Sequence, residues 1–144
     1  MQKKYLKVVE VAIEHEGKFL IIQRPAEVHA GGLLAFPGGK VEKVDESDDG
    51  DILRAAAKRE ILEEVGLVLK DNLDYVVSSY FVSSDTGDHV IDSIFHCKVK
   101  KTILKISVSK REVVNYYWMT AAEIDLAANC PPWLKKYVQH IQKL

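Results

Sequence analysis

The chain has 144 residues, 47% hydrophobic and 28% charged, with 20 Lys+Arg against 21 Asp+Glu and a formal net charge of −1. A length close to the usual domain size predicts a single domain over residues 1–144, and the balanced charge excludes the long-range pull that draws basic proteins to nucleic-acid polymers or anionic lipid. Apolar stretches fall far short of the roughly 18 residues of a membrane span, and residues 1–5 lead straight into an alternating segment without the apolar block of a signal peptide, so a cytoplasmic protein is expected.

Apolar and polar residues roughly alternate over residues 5–13, Glu14-His15-Glu16-Gly17-Lys18 carries a turn signal, and residues 19–23 are rich in β formers, which predicts a hairpin. Residues 25–32 read as a loop and 33–36 as a short extended piece. Pro37-Gly38-Gly39 reads as a backbone turn that needs the conformational freedom of glycine. Residues 43–50 are acidic and almost without apolar side chains, so a solvated loop is expected there.

Residues 52–65 hold good helix formers at near-helical spacing, and Gly66 follows as a natural C-cap. Residues 75–82 and 89–99 flank Asp85-Thr86-Gly87-Asp88, a second hairpin signature, and 115–119 form a further strand of a mixed sheet. Thr120-Ala121-Ala122-Glu123 has the form of a capping box. Pro131 and Pro132 open a last helix with Trp133, Leu134, Tyr137, Val138 and Ile141 on one side and lysines on the other, a helix expected to serve packing and not chemistry. Cys97 and Cys130 are too few for a disulfide framework and read as buried thiols.

Chemistry concentrates in Arg59-Glu60-Ile61-Leu62-Glu63-Glu64-Val65-Gly66-Leu67. Side chains three and four apart on a helix are neighbours, so Glu60, Glu63 and Glu64 converge into one negative cluster whose repulsion a cation would offset. Oxygen-only ligands suit Mg²⁺ or Mn²⁺. The alternative is a solvated acidic face supported by an Arg59–Glu63 pair at i,i+4. The five histidines show no metal-ligand spacing, and His89 and His96, an odd number of residues apart on one strand, face opposite sides of the sheet, so no zinc site is expected.

This segment resembles the signature of the Nudix hydrolase family, G-x5-E-x7-R-E-U-x-E-E-x-G-U, where U is a bulky aliphatic residue. Arg59, Glu60, Ile61, Glu63, Glu64, Gly66 and Leu67 fit its second half at every fixed position, and Phe36-Pro37-Gly38-Gly39-Lys40-Val41-Glu42 resembles its usual entry. The stretch from Gly39 to Arg59 is six residues longer than the pattern. Counting back from Arg59 reaches Asp51 where the family has Glu, and counting on from Gly39 reaches Asp45. Aligning Gly50-Asp51 with the family's Gly-Glu pair puts the extra residues within 43–49, and leaves Asp51 either as a shortened support of the metal site or as the helix N-cap. Arg24, Trp118 and Met119 are weaker points of resemblance.

The resemblance implies an α/β (α+β) Nudix fold, an α/β/α sandwich around a mixed β-sheet. It implies Mg²⁺-dependent hydrolysis of a nucleoside diphosphate linked to another group X, with two or three ions bridging carboxylates and phosphate oxygens. Its metal ligands here would be Glu60, Glu63, Glu64 and the Gly38 carbonyl, with Arg59 orienting a glutamate and Glu64 or Glu112 as general base. Arg24, Gly39, Lys40 and His29 are the expected substrate contacts, and Tyr80, Phe81 and Phe95 are candidates for stacking on a base. A nucleoside triphosphate, normal or oxidised, leads the substrate list. ADP-ribose-like nucleotide sugars, dinucleoside polyphosphates, a silent nucleotide-binding module and an unrelated acidic-helix interaction protein are the alternatives, in a monomer or homodimer.

Overall fold

The computed structural model describes residues 4–28, 30–46, 49–70, 72–100, 106–109 and 111–144. Among the described residues, seven strands and three helices follow in the order β1 (Tyr5–His15), β2 (Lys18–Gln23), β3 (Leu34–Ala35), β4 (Gly38–Lys40), α1 (Ile52–Val65), β5 (Asp74–Val82), β6 (His89–Lys98), β7 (Asn115–Met119), α2 (Ala121–Leu126) and α3 (Pro132–Gln142), with a 3-10 turn at Lys43–Asp45. The strands form one mixed sheet in the order β3-β2-β1-β6-β5, with β4 paired to β1 and β7 to β2. The central pairing is parallel: β1 runs beside β6 from Tyr5↔His89 to Glu14↔Lys98. Glu16 and Gly17, both at positive φ, make the tight turn of the β1–β2 hairpin.

The alternation along β1 sends Val9, Val11 and Ile13 to one face, where they pack with Ala56, Ala57, Ile61 and Val65 of α1. The opposite face carries Ala12 and Ile94 into a second core with Leu134, Val138 and Ile141 of α3 and Ile124 of α2. Helices therefore cover both faces of the sheet, as the α/β/α reading expects. Thr120 and Glu123 close the capping box that opens α2, with Thr120 Oγ1 accepting from the Glu123 N–H and Glu123 Oε1 from the Thr120 N–H. Gly66, at φ 75°, ends α1 in the left-handed conformation. Cys97 and Cys130 are buried free thiols. Among the described residues no helix is long and apolar enough to cross a membrane.

Several local expectations are corrected. Pro37-Gly38-Gly39 is not a free turn: Gly38 and Gly39 are strand residues paired with Glu10 and Val9. Contact explains the glycines, since a Cβ on Gly38 would run into the Val9 carbonyl oxygen, a rigid backbone atom, and one on Gly39 would displace the Glu60 carboxyl. The acidic stretch is not wholly solvated either, because Asp45 in its 3-10 turn is buried. On α3, Trp133 is 46% exposed, so it stands apart from the apolar stripe. The hydroxyl of Tyr137, on the same helix, contacts polar groups of the sheet and does more than fill space.

Candidate active site

Asp51 caps α1 by accepting from the Arg54 N–H, which fixes the helix start and the register of everything downstream. In that register Glu60 and Glu64 point toward β4 and are buried, whereas Glu63 is turned to solvent with its side chain 54% exposed. A solvated acidic face is thereby excluded. Burying two carboxylates one turn apart is costly unless partners receive them, and β4 supplies one. The Gly38 N–H donates to Glu64 Oε1 at 3.1 Å.

Arg59 organises the rest. Its Nη1 donates to Glu60 Oε1 at 3.0 Å and to Glu63 Oε2 at 3.1 Å. Its Nε and Nη2 donate to the two carboxylate oxygens of Asp45 at 2.7 and 3.0 Å, and Nη2 also to the Lys40 carbonyl at 2.9 Å. The guanidinium thus joins the 3-10 turn, β4 and two glutamates of the helix. Of the two acids that the spacing left open, Asp45, counted forward from Gly39, is the one that meets Arg59, and Asp51 serves as the N-cap, bridged to Arg54 at 3.3 Å.

Electrostatics mark the cluster as short of positive charge. Burial pushes the Glu64 carboxyl up to about 8 from its ordinary 4.5, and repulsion from Glu112 and Glu60 adds to the rise against the Gly38 N–H and Arg24. Glu60 is also raised, first by burial and then by Glu63 and Glu112 against the pull of Arg59. Asp45 is held below its ordinary value by the Arg59 hydrogen bond. Glu112 lies far along the chain from α1, yet its charge is felt by both buried glutamates.

Arg24, Gly38, Gly39 and Lys40 line a cleft of about 740 Å³ beside these carboxylates. Tyr80 and Phe81 also line it, while Phe95 is a core residue with the Arg54 guanidinium 5.1 Å over its ring. Trp118 pairs with Leu20 and packs against the α1-side core. His29 lies outside the described residues. His89 stacks on Tyr80 and His96 bonds Glu14 at 2.9 Å, so the two are apart as expected.

The cleft also contains polar residues that sequence reasoning missed: Glu10, Asp92, Ser79 and Tyr137. A signal existed, since Glu10 and Asp92 each interrupt a run of apolar strand residues. Glu10 is raised well above its ordinary value by burial and by Asp92, and Asp92 is raised by burial.

Whether these residues suit a divalent cation can be tested on their chemistry. Among the described residues no three acids already close around one point. The donors are nonetheless all hard oxygens, and the charges of Glu60 and Glu112 help hold a proton on Glu64, as those of Glu63 and Glu112 do on Glu60, a field that a cation would relieve. The donor set fits a hard divalent ion.

A fold with helices on both faces of this sheet, and an Arg-linked glutamate cluster beside a glycine strand, defines a Nudix domain: the NUDIX domain family model matches residues 4–141, and the chain belongs to that family. Nudix hydrolases cleave pyrophosphate bonds and in general use divalent metals. The chain is 37% identical to the 8-oxo-dGTP diphosphatase of Proteus vulgaris over 111 residues, covering 69% of this chain and 94% of that protein. It is 47% identical to the CTP pyrophosphohydrolase of Escherichia coli (strain K12) over 64 residues, 44% of this chain, and the match spans only 43% of that relative's length. The crystal structure of the MutT protein from Methanosarcina mazei Go1 is similar with a TM-score of 0.79 at 25% identity, over 99% of this chain and 96% of that one.

Proposed function

We propose that this chain, as one Nudix domain, hydrolyses a nucleoside triphosphate to the nucleoside monophosphate and pyrophosphate, with Mg²⁺ held by Glu60, Glu63, Glu64 and the Gly38 carbonyl. The observation that carries the reading is the burial of Glu60 and Glu64 against β4, beside a cleft of nucleotide size. Bound Mg²⁺ would supply charge neutralisation on the phosphates and acidify the attacking water.

The chain's own residues do the positioning. Arg59 spends its donors on Asp45, Glu60, Glu63 and the Lys40 carbonyl, so it orients carboxylates and does not itself reach the substrate. Arg24 and Lys40 line the cleft and offer cationic partners to a polyphosphate. In this reading Glu64 or Glu112 takes the proton of the attacking water. The names of the two curated relatives support a triphosphate over the sugar-linked alternatives.

The test is phosphate and pyrophosphate release from nucleoside triphosphates, nucleotide sugars and dinucleoside polyphosphates, with Mg²⁺ or Mn²⁺, against Glu63→Gln. Metal-dependent release of pyrophosphate from a triphosphate, lost in the variant, is the expected result. An absence of turnover on every substrate overturns it.

A further inference from the structure

On the α3 side of the sheet, the cleft is floored by two acids that the phosphate chemistry does not use. Parallel pairing sets Val8 opposite Asp92 and Glu10 opposite Ile94, so Glu10 and Asp92 are diagonal neighbours projecting from the same face. Asp92 is only 5% exposed. Its Oδ2 accepts a long hydrogen bond of 3.5 Å from the Tyr137 hydroxyl, which lies 2.5 Å from Ser79 Oγ. Its Oδ1 is buried with no N–H or hydroxyl of the described residues on it, and the Asp92 carboxyl shares a side-chain hydrogen bond with the carboxyl of Glu10. Two buried carboxyls that meet one another and a single hydroxyl are costly for a fold to retain, and their place in the lining of the cleft gives them a use. The surrounding walls are apolar and aromatic, with Leu34, Phe36 and Trp133 among them.

We infer that Asp92, with Glu10 beside it, reads the nucleobase and selects bases that carry an exocyclic amino group. The inference deepens the nucleotide reading above and rests on it. An aromatic-walled cleft with an acceptor-rich floor suits a flat heterocycle that presents N–H donors. The amino group supplies an N–H donor to a carboxyl pair that no N–H of the described residues reaches. A base with a carbonyl at that position sets oxygen against oxygen and leaves the acceptor unpaired, which is how a polar site rejects a near-isostere. With one proton shared between Glu10 and Asp92, the remaining oxygens of the pair only accept, and that is the state in which it selects for an N–H donor.

The experiment measures kcat/KM for CTP against UTP and for GTP against ITP, pairs that differ at the amino group, in the wild type, Asp92→Asn and Glu10→Gln. In parallel, calorimetry compares binding of CMP with UMP and of GMP with IMP, which reads the cleft without hydrolysis. The expected result is at least about a tenfold preference for the amino-bearing member of one pair, in turnover and in binding, falling to within about threefold of unity in Asp92→Asn. Equal treatment of both members by the wild type overturns the inference, as does a preference that survives both substitutions. Should Asp92→Asn fail to fold, the wild-type ratios and Glu10→Gln decide. Hydrolysis without base preference sinks this inference alone. Base-selective monophosphate binding without any hydrolysis sinks the catalytic reading and leaves this one standing.

Discussion

Asp45 and Arg59, 14 residues apart in sequence, meet in a two-pronged ion pair, with Nε to Oδ1 at 2.7 Å and Nη2 to Oδ2 at 3.0 Å. The Asp45 side chain is 2% exposed and the Arg59 side chain 17% exposed, so water does little to screen the pair. It ties the turn that follows β4 to the middle of α1. The helix therefore cannot move relative to the glycine strand without breaking a buried charge contact.

That contact separates Asp45 from Asp51. Asp45→Asn leaves Arg59 short of a charged partner and is expected to cost about 3 kcal/mol, with loss of metal-dependent turnover as Glu60 and Glu63 lose their orientation. Asp51→Ala removes an N-cap and is expected to cost about 1 kcal/mol with turnover retained. Urea denaturation and initial rates on both variants check the pair. Equal losses would return Asp51 to the metal site.

The two glycines of β4 should fail differently. A methyl on Gly38 meets the Val9 carbonyl oxygen, a rigid backbone atom, so Gly38→Ala must part β4 from β1 and is expected to destabilise the fold by more than about 2 kcal/mol. A methyl on Gly39 meets the Glu60 carboxyl, the far end of a flexible side chain, so Gly39→Ala is expected to fold with nearly normal stability and lose metal affinity and rate. Thermal melts combined with Mg²⁺ titration distinguish the two.

Removing the charge at position 64 should trade function for stability. Glu64→Gln keeps an acceptor for the Gly38 N–H and discards a buried carboxylate repelled by Glu112 and Glu60. At pH 8 without metal its Tm is expected to exceed the wild type's, while turnover falls by about a hundredfold or more. A lower Tm would show that the carboxylate stabilises the metal-free fold.

The pH dependence without metal follows from the same group. Glu64 is held at about 8 when folded against an ordinary 4.5, so the folded chain binds more protons than the unfolded chain between those values. Its favourable contribution is fully present below 4.5 and is lost as pH rises toward 8, so metal-free stability declines over that window. Asp45 has the opposite sign: its folded value is lowered, and its contribution is lost as pH falls below the ordinary 3.8. Mg²⁺ competes with protons for the same carboxylates, so its stabilising effect should be larger at pH 8 than at pH 6. Calorimetric melts with chelator or Mg²⁺ at the two pH values measure this, and an equal Mg²⁺ increment at both would contradict it.

The sequence by itself determined what depends on near neighbours. Helix residues 52–65 with Gly66 after them, the capping box at Thr120 and the glutamate cluster are all set by spacings of a few residues, which chain geometry converts directly into structure. Tertiary structure decided the rest. Whether Glu60 and Glu64 faced water or β4 depended on which side of α1 the sheet covered. Gly38 and Gly39 read locally as a turn because glycine signals freedom of φ, whereas their true reason is the closeness of Val9 and Glu60, which no local pattern encodes. The extra residues between Gly39 and Arg59 left Asp45 and Asp51 equivalent on paper, and only the reach of the Arg59 guanidinium separated them. Glu10 and Asp92, brought side by side by the parallel pairing of the first strand with the sixth, were invisible as a pair because that pairing closes most of the chain into one loop.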